Sequence, residues 1–524
     1  MKTVYKITIG AFAFLIVVIL YLVASRSLAQ RAAAGYADEL MNRFGQPALN
    51  PGENPFEQNS SMWSSLPTTL SDLYTGHDKL PELMRRMPSG RARVSWQREN
   101  LSGPGSHNIW PQVQSALDAK EVQIRFLMDC VDPSSSISED QRKAARMYGW
   151  VAGTWMSGAM VDKLYQGDGV GAAELALAIV RTGHNKSGIM QFGPPAMGAY
   201  AAVWEFLQST NLTDDVLKEL ADAVMEDRPI DRFDKSYRSM VATLTGSLRM
   251  MREQPENMLA DYLGGSPAMM GGAGVSGWGD FFSTLTSDPG ASFKWLGMRA
   301  KMAKYLWRDT YEDELWALED VAVDWEGMHI GLKTNAMSEG LAWARAARKG
   351  RGKPGSNLLL SHMGSSFWGL GGAGPNNHLH MLTHLVGEEM RHRMMLTAIA
   401  LHRHRLAEGS LPSELADLVP RYLDEEPVDL MDGKSLRYDR EKDGRFRLWS
   451  IGCYAGDNHG SGKPHTIAGP STAFGFGNLT AWLAAADWIW PQPANEKEIS
   501  TDDASLAGTT VPTFSSVTVS TSSP

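Results

Sequence analysis

From Ile7 to Ala24 the chain is almost unbroken apolar residue (Ile-Thr-Ile-Gly-Ala-Phe-Ala-Phe-Leu-Ile-Val-Val-Ile-Leu-Tyr-Leu-Val-Ala) and carries no charge. At about 1.5 Å of rise per residue, a helix of this length spans a bilayer with slight help from its flanks. Every face of it is apolar, unlike the one-sided helix of a soluble domain. Lys2 and Lys6 precede the run and favour a cytoplasmic N-terminus, a bias that Arg26 and Arg31 on the far side weaken. The expectation is a single pass through the inner membrane by residues 7–24, N-terminus inside, bulk of the chain periplasmic. Ser27-Leu28-Ala29 before Gln30 also has the small residues of a signal-peptidase site, so a cleaved leader is the rival reading, and both export the remainder.

Beyond residues 1–29, residues 30–137 are broken by Pro, Gly, Ser and Asn, as in Pro47 to Gly52 and Leu101 to Gly105, and read as a membrane-proximal linker with short helices. Residues 138–409 read as a helical body. Ser138 and Gln141 have capping-box spacing. Thr213-Asp214-Asp215 opens a helix whose Leu217, Leu220, Ala221 and Val224 form one apolar stripe. Gly264 to Gly279 and Gly364 to Pro375 read as exposed loops, a Trp- and acid-rich helix lies between them, and a long helix runs from about Leu379 to Leu406.

The period then changes. Pro412 opens a short helix, Asp432-Gly433 makes a turn, and Leu436 and Tyr438 alternate with polar neighbours. Asp443-Gly444 is a hairpin turn, and Phe446, Leu448 and Ser450 alternate on the return. Residues 410–460 are therefore a small helix-plus-hairpin unit. Residues 461–491 are rich in Gly and Trp, and 492–524 form a Ser/Thr-rich tail expected to be disordered. The fold class expected is mainly α: a long helical-hairpin body with a small C-terminal α+β segment.

The net charge of -9 and the lack of any basic stripe argue against nucleic acid, whose phosphates need clustered Lys and Arg. Two cysteines, Cys130 and Cys453, allow no disulfide framework or four-thiolate zinc site and read as small buried apolar residues.

The run LHRHRLAEGSLPSELADLVPRYLDEEPVDLMDGKSLRYDREKDGRFRLWSIGCYAGDNHG, Leu401 to Gly460, with the helix that leads into it from Leu396, resembles the globular C-terminal part of type II secretion pseudopilins. There a helix runs into a Gly-x-x-Pro turn, a Pro-x-Asp-x-x-Gly segment and a hairpin ending in Ser-x-Gly. The whole arrangement of anchor, helical body and this ending is similar to a group of single-anchor envelope proteins of planctomycete-type bacteria. The resemblance implies location and architecture, and envelope protein partners, rather than an activity. A prepilin has Glu at the fifth position after its processed Gly, whereas Leu15 follows Gly10 at that place. Some major pseudopilins bind calcium after the hairpin, which would point to Asp457, Asn458 and the carbonyls near Gly460.

His380 and His384 are spaced i, i+4 on the long helix, so both rings can face one transition metal, although Met381 stands where a metalloprotease has its catalytic Glu. Glu326-x-x-His329 and Glu389-x-x-His392 have the spacing of di-iron ligands in helix bundles, with Glu314 and Glu339 as the lone glutamates. The metal candidates are thus His380, His384, Glu389, His392 and Asp457. Patterns this short arise by chance in a chain rich in Glu and His, so hydrogen-bonded histidines without metal are the favoured reading. Gly272 to Gly277 and Gly369 to Gly374 fit Gly-x-Gly-x-x-Gly but follow no strand, which removes the case for a dinucleotide loop. Trp482, Trp488 and Trp490 are candidates for touching membrane or a partner. The expectation is a membrane-anchored structural or interaction protein with no assigned catalytic residue or cofactor; the alternative is a membrane-anchored metalloenzyme built on the His-rich helix.

Overall fold

The computed structural model describes residues 2–44, 110–132, 134–138, 141–142, 149–183, 200, 202–207, 212–234, 237–238, 241, 245–246, 252, 278–349, 380–442, 444–454, 457–460 and 487–490. These are mostly helical, with one small antiparallel sheet. Most of the linker, the Gly364–Pro375 loop and the C-terminal tail lie outside the described residues, as does the loop from Gly264 except its end, where Trp278 and Gly279 open a helix.

The apolar N-terminal run folds as helix and continues well past its last apolar residue. Helix α1 spans Lys2–Phe44 without a break. Its first half leaves Phe12, Phe14, Val17, Leu20 and Tyr21 62–71% exposed. This is the one helix among the described residues long and apolar enough to cross a membrane. Its second half is part of the body: Ala33 and Leu40 are buried, with Tyr36, Ala37 and Met41 packed against the core.

The first helical group comprises α2 (Trp110–Asp118), α3 (Glu121–Val131), α4 (Gly149–Gln166), α5 (Gly169–Gly183) and α6 (Asp214–Met225). The Ser138 box forms as its spacing predicts, with Gln141 N donating to Ser138 Oγ at 3.3 Å and Ser138 N to Gln141 Oε1 at 3.1 Å. Thr213 caps α6 by accepting from Val216 N, and Leu217, Leu220 and Val224 are buried along the expected stripe. Both Cys130 and Cys453 are buried, and neither is in a disulfide.

The second group begins with α7 (Trp278–Ser287) and α8 (Pro289–Lys304). A single π turn, Tyr305–Asp309, joins α8 to α9 (Thr310–Thr334). Helix α10 (Met337–Lys349) folds back on α9 through Asn335, whose left-handed φ of 54° suits an Asn at a helix end. Glycines set how closely this pair meets: a Cβ on Gly327 of α9 would lie 2.9 Å from the carbonyl oxygen of Gly340 on α10. Helix α11 (His380–Glu408) matches the expected long helix and runs through the core, packing on α6, α9 and α10. Leu382, Val386, Met390, Met394, Ala398 and Leu401 are buried along it.

The C-terminal unit forms the expected hairpin. Strand β1 (Arg437–Arg440) pairs antiparallel with β2 (Phe446–Ser450), with Tyr438 opposite Leu448, and Gly444 takes the positive φ of 81° that the turn needs. The element expected after Pro412 is shorter than a helix, a 3-10 turn at Leu415–Leu418 held by a Glu414–Asp417 capping box. A third strand, β3 (Trp488–Ile489), adds to β2. It corrects the expectation for two of the indoles: Trp488 and Trp490 are buried, and Trp490 packs edge-on against Tyr200 at 4.9 Å. Aromatic residues that look like an interface belt in sequence here close a core. Trp482 lies outside the described residues.

Candidate functional site

Ionisable groups are costly to bury unless paired, so the charged residues inside this body mark where its chemistry is concentrated. Two clusters stand out. The first lies between α9, α10 and the start of α11. Asp320 and Asp324 sit one turn apart on α9 and share Arg348 at the end of α10. Arg348 Nε donates to Asp320 Oδ1 at 2.9 Å, and its Nη2 donates to Asp324. The backbone of Leu382, in the first turn of α11, also hydrogen-bonds the Asp324 carboxyl, so the positive end of that helix faces it. Burial pushes Asp324 up to about 7, with Arg348 pulling it down and Asp320 raising it. Burial and then the nearby Asp324 raise Tyr237, whose hydroxyl has no hydrogen-bond partner among the described groups. Two carboxyls against one guanidinium leave an unbalanced negative charge, which a proton on Asp324 relieves.

The second cluster is the Glu389–His392 pair. Glu389 is fully buried, and Oε1 accepts from Arg393 Nε at 2.8 Å with Arg228 at 3.7 Å. Oε2 accepts from the backbone of Ile230 at 3.2 Å. Burial would raise its pKa, but Arg393, His392 and Arg228 outweigh that and hold it below the usual carboxylate range. One ring nitrogen of His392, Nε2, meets the carbonyl of Val224 at 2.8 Å, and burial lowers the ring's pKa. Both carboxylate oxygens are thus committed to arginines and backbone, which ties the α6 end and the turn after it to α11.

The other candidates are scattered. Glu326 is exposed and pairs with Arg43 at 3.5 Å, and His329 lies beside Trp325 and Phe233. Glu314 is buried and binds Arg252 at 2.7 Å, whereas Glu339 is exposed at the start of α10. His380 and His384 occupy the first two turns of α11, with side chains outside the described residues. Among the described residues no three His, Cys, Asp or Glu side chains gather as a metal centre would need.

Asp457 lies in the loop after β2. It accepts from His459 N at 2.8 Å and Trp449 Nε1 at 3.2 Å, with Arg437 at 3.6 Å. A guanidinium beside the carboxylate competes with a cation for the same charge. Asp487, next to β3, accepts from the backbones of Asn458 and Gly460 at 3.3 and 3.0 Å, closing that loop with protein donors.

Asp429 is the buried hub of the C-terminal unit. It accepts from Ser450 Oγ, Met431 N, Ile451 N and Arg437 Nη1 at 2.8–3.0 Å. The segment it holds caps α10: Leu430 O and Met431 O accept from the backbone of Met337 and Ser338 at 3.0 and 3.2 Å. Neither Asp429 nor the Asp320–Asp324–Arg348 cluster was singled out from sequence. The available signal was acids at core positions of a helix, where Asp313, Asp320 and Asp324 share the stripe of Ala317, Val321 and Met328.

No known protein family, characterised protein or solved structure matches the chain.

Proposed function

We propose that this chain is a single-pass protein of the cytoplasmic membrane of a bacterial envelope, N-terminus inside, whose helical body stands outside as a structural or interaction scaffold. The observation that carries the proposal is the continuity of α1: one unbroken helix passes from an exposed apolar band to a half whose Ala33 and Leu40 are buried in the core. An exposed apolar surface of that size has no stable place in water. A flexible tether would suffice merely to retain an enzyme, whereas a helix shared by span and body holds the body at a set height and orientation.

The sequence resemblance of residues 396–460 to pseudopilin ends points to a partner in a secretion or pilus-like system. The test is membrane fractionation of the full chain. It should stay with the membrane through alkaline carbonate and be released only by detergent, whereas carbonate should release a variant lacking residues 7–24. Release of the full chain by carbonate would refute the anchor.

A further inference from the structure

Helix α1 and helix α9 run parallel. Arg26 stands 5.4 Å from the ring centroid of Trp307 at one end of the contact, and Arg43 stands 5.2 Å from that of Trp325 at the other. Stepping back from Arg26 leads into the exposed apolar band, and stepping back from Trp307 leads through the π turn into α8. Helix α8 and its partner α7 therefore lie at the end of the body from which the membrane span emerges.

This two-helix unit is unlike the rest of the body. Asp288 caps α8 by accepting from Ala291 N at 3.0 Å, and Ser292 Oγ donates to the Phe281 carbonyl at 3.2 Å, so the two helices close on each other. Among the described residues they pack chiefly with each other and with the π turn, and Phe281 stands outside the main core. Short helices are marginal in water without tertiary packing, and among the described side chains of this pair only Phe281 and Ser292 are buried. Phe282 and Phe293 are 64% and 63% exposed, and Leu296 is exposed one turn beyond Phe293. Outside α1, these are the only strongly exposed phenylalanines among the described residues.

Charge completes the pattern. In a chain of net charge -9, α8 carries Lys294, Arg299, Lys301 and Lys304 and no acid. Four cations forbid α8 from crossing the hydrocarbon, and 16 residues are too few to do so. Exposed Phe282 on α7 and Phe293 on α8, beside a helix whose sequence is cationic, suit the boundary between headgroups and acyl chains, where apolar side chains sink about 5–10 Å and cations attract anionic lipid. The π turn gives a long helix a place to change direction.

We infer that the α7–α8 hairpin lies on the anionic surface of the same membrane that α1 crosses, with Phe282, Phe293 and Leu296 in the headgroup boundary. The inference rests on the anchor reading above. Each link can be probed separately in full-length protein reconstituted into vesicles of phosphatidylcholine and phosphatidylglycerol. Leu15→Cys, Phe293→Cys and Val170→Cys are labelled singly with an environment-sensitive fluorophore and exposed to lipids carrying a quencher near the headgroup or deep in the chain. Deep quenching at 15, shallow quenching of about twofold or more at 293, and none at 170 is the expected result. Quenching at 293 should weaken when phosphatidylglycerol is left out. Quenching at 15 without quenching at 293 overturns this inference and leaves the anchor standing; no quenching at 15 overturns both.

Discussion

Arg43, on the last turn of α1, pairs with Glu326 of α9 at 3.5 Å while its guanidinium lies over the neighbouring Trp325 ring. Residues 283 positions apart in the chain are thereby fixed side by side. The exposed ion pair itself adds little, roughly 0–1 kcal/mol. Its position matters because it marks the far end of a contact between α1 and α9 that begins at Arg26 and Trp307.

The body therefore depends on α1 beyond its apolar band. Leu40 has no exposed surface, and Leu40→Ala should cost about 2–4 kcal/mol. Leu15→Ala, in the exposed half, should leave the body's stability within about 0.5 kcal/mol. Urea unfolding in detergent, followed by tryptophan fluorescence, compares the two. Equal effects would mean that α1 is only a tether.

Asp324 predicts an unusual pH dependence. Its folded pKa is raised, so the folded state holds a proton that the unfolded state has already released. That contribution is fully favourable below the ordinary carboxylate pKa, falls as pH rises, and is exhausted above about 7. His392 and His402 act in the opposite direction, because burial lowers both and neither imidazole charges readily in the fold. The comparison is therefore between proteins: from about pH 5 to 8, wild type should lose stability relative to Asp324→Asn. Parallel pH profiles would show that the Asp324 carboxyl holds no extra proton in the fold.

Glu389 answers a different question. Replacing it with Gln strands Arg393 and Arg228 against a neutral side chain and should cost about 2–3 kcal/mol, short of a fully buried pair because both arginines reach water. Added zinc or iron should not restore the loss. Restoration by metal, or metal bound by wild type and lost in Glu389→Gln, would favour the metalloenzyme.

Much of the architecture was legible because it rests on local chemistry. The α6 cap needs only Thr213 and the stripe behind it, and the hairpin needs only alternating residues around Gly444. What was not legible depends on distant partners. Trp488 and Trp490 look like interface residues until β3 is seen to pair with β2, and the apolar run at Ile7–Ala24 gives no hint that the same helix goes on to bury Leu40. The Glu-x-x-His spacing correctly puts two groups on one helix face, but the partners of Glu389 are Arg393 on its own helix and Arg228 from a distant turn, which no local pattern contains.

Asp429 shows how the C-terminal unit is held to the body. Asp429→Asn loses its bond to Arg437 and disturbs three other donors, at a cost of about 2–4 kcal/mol. Hydrogen exchange should then quicken at Met337, Ser338 and Ile451 before it does so along α11. Uniform quickening would mean that the unit and the body unfold together.

The most direct test of the central claim is topology in living cells. Full-length Lys2→Cys and Val170→Cys proteins would be treated in intact spheroplasts with a membrane-impermeant thiol reagent, against a background in which the buried Cys130 and Cys453 stay unlabelled. An anchored, outward-facing body predicts labelling at position 170 and none at position 2 until the membrane is broken. Labelling at neither position before lysis, or at position 2 alone, would contradict it.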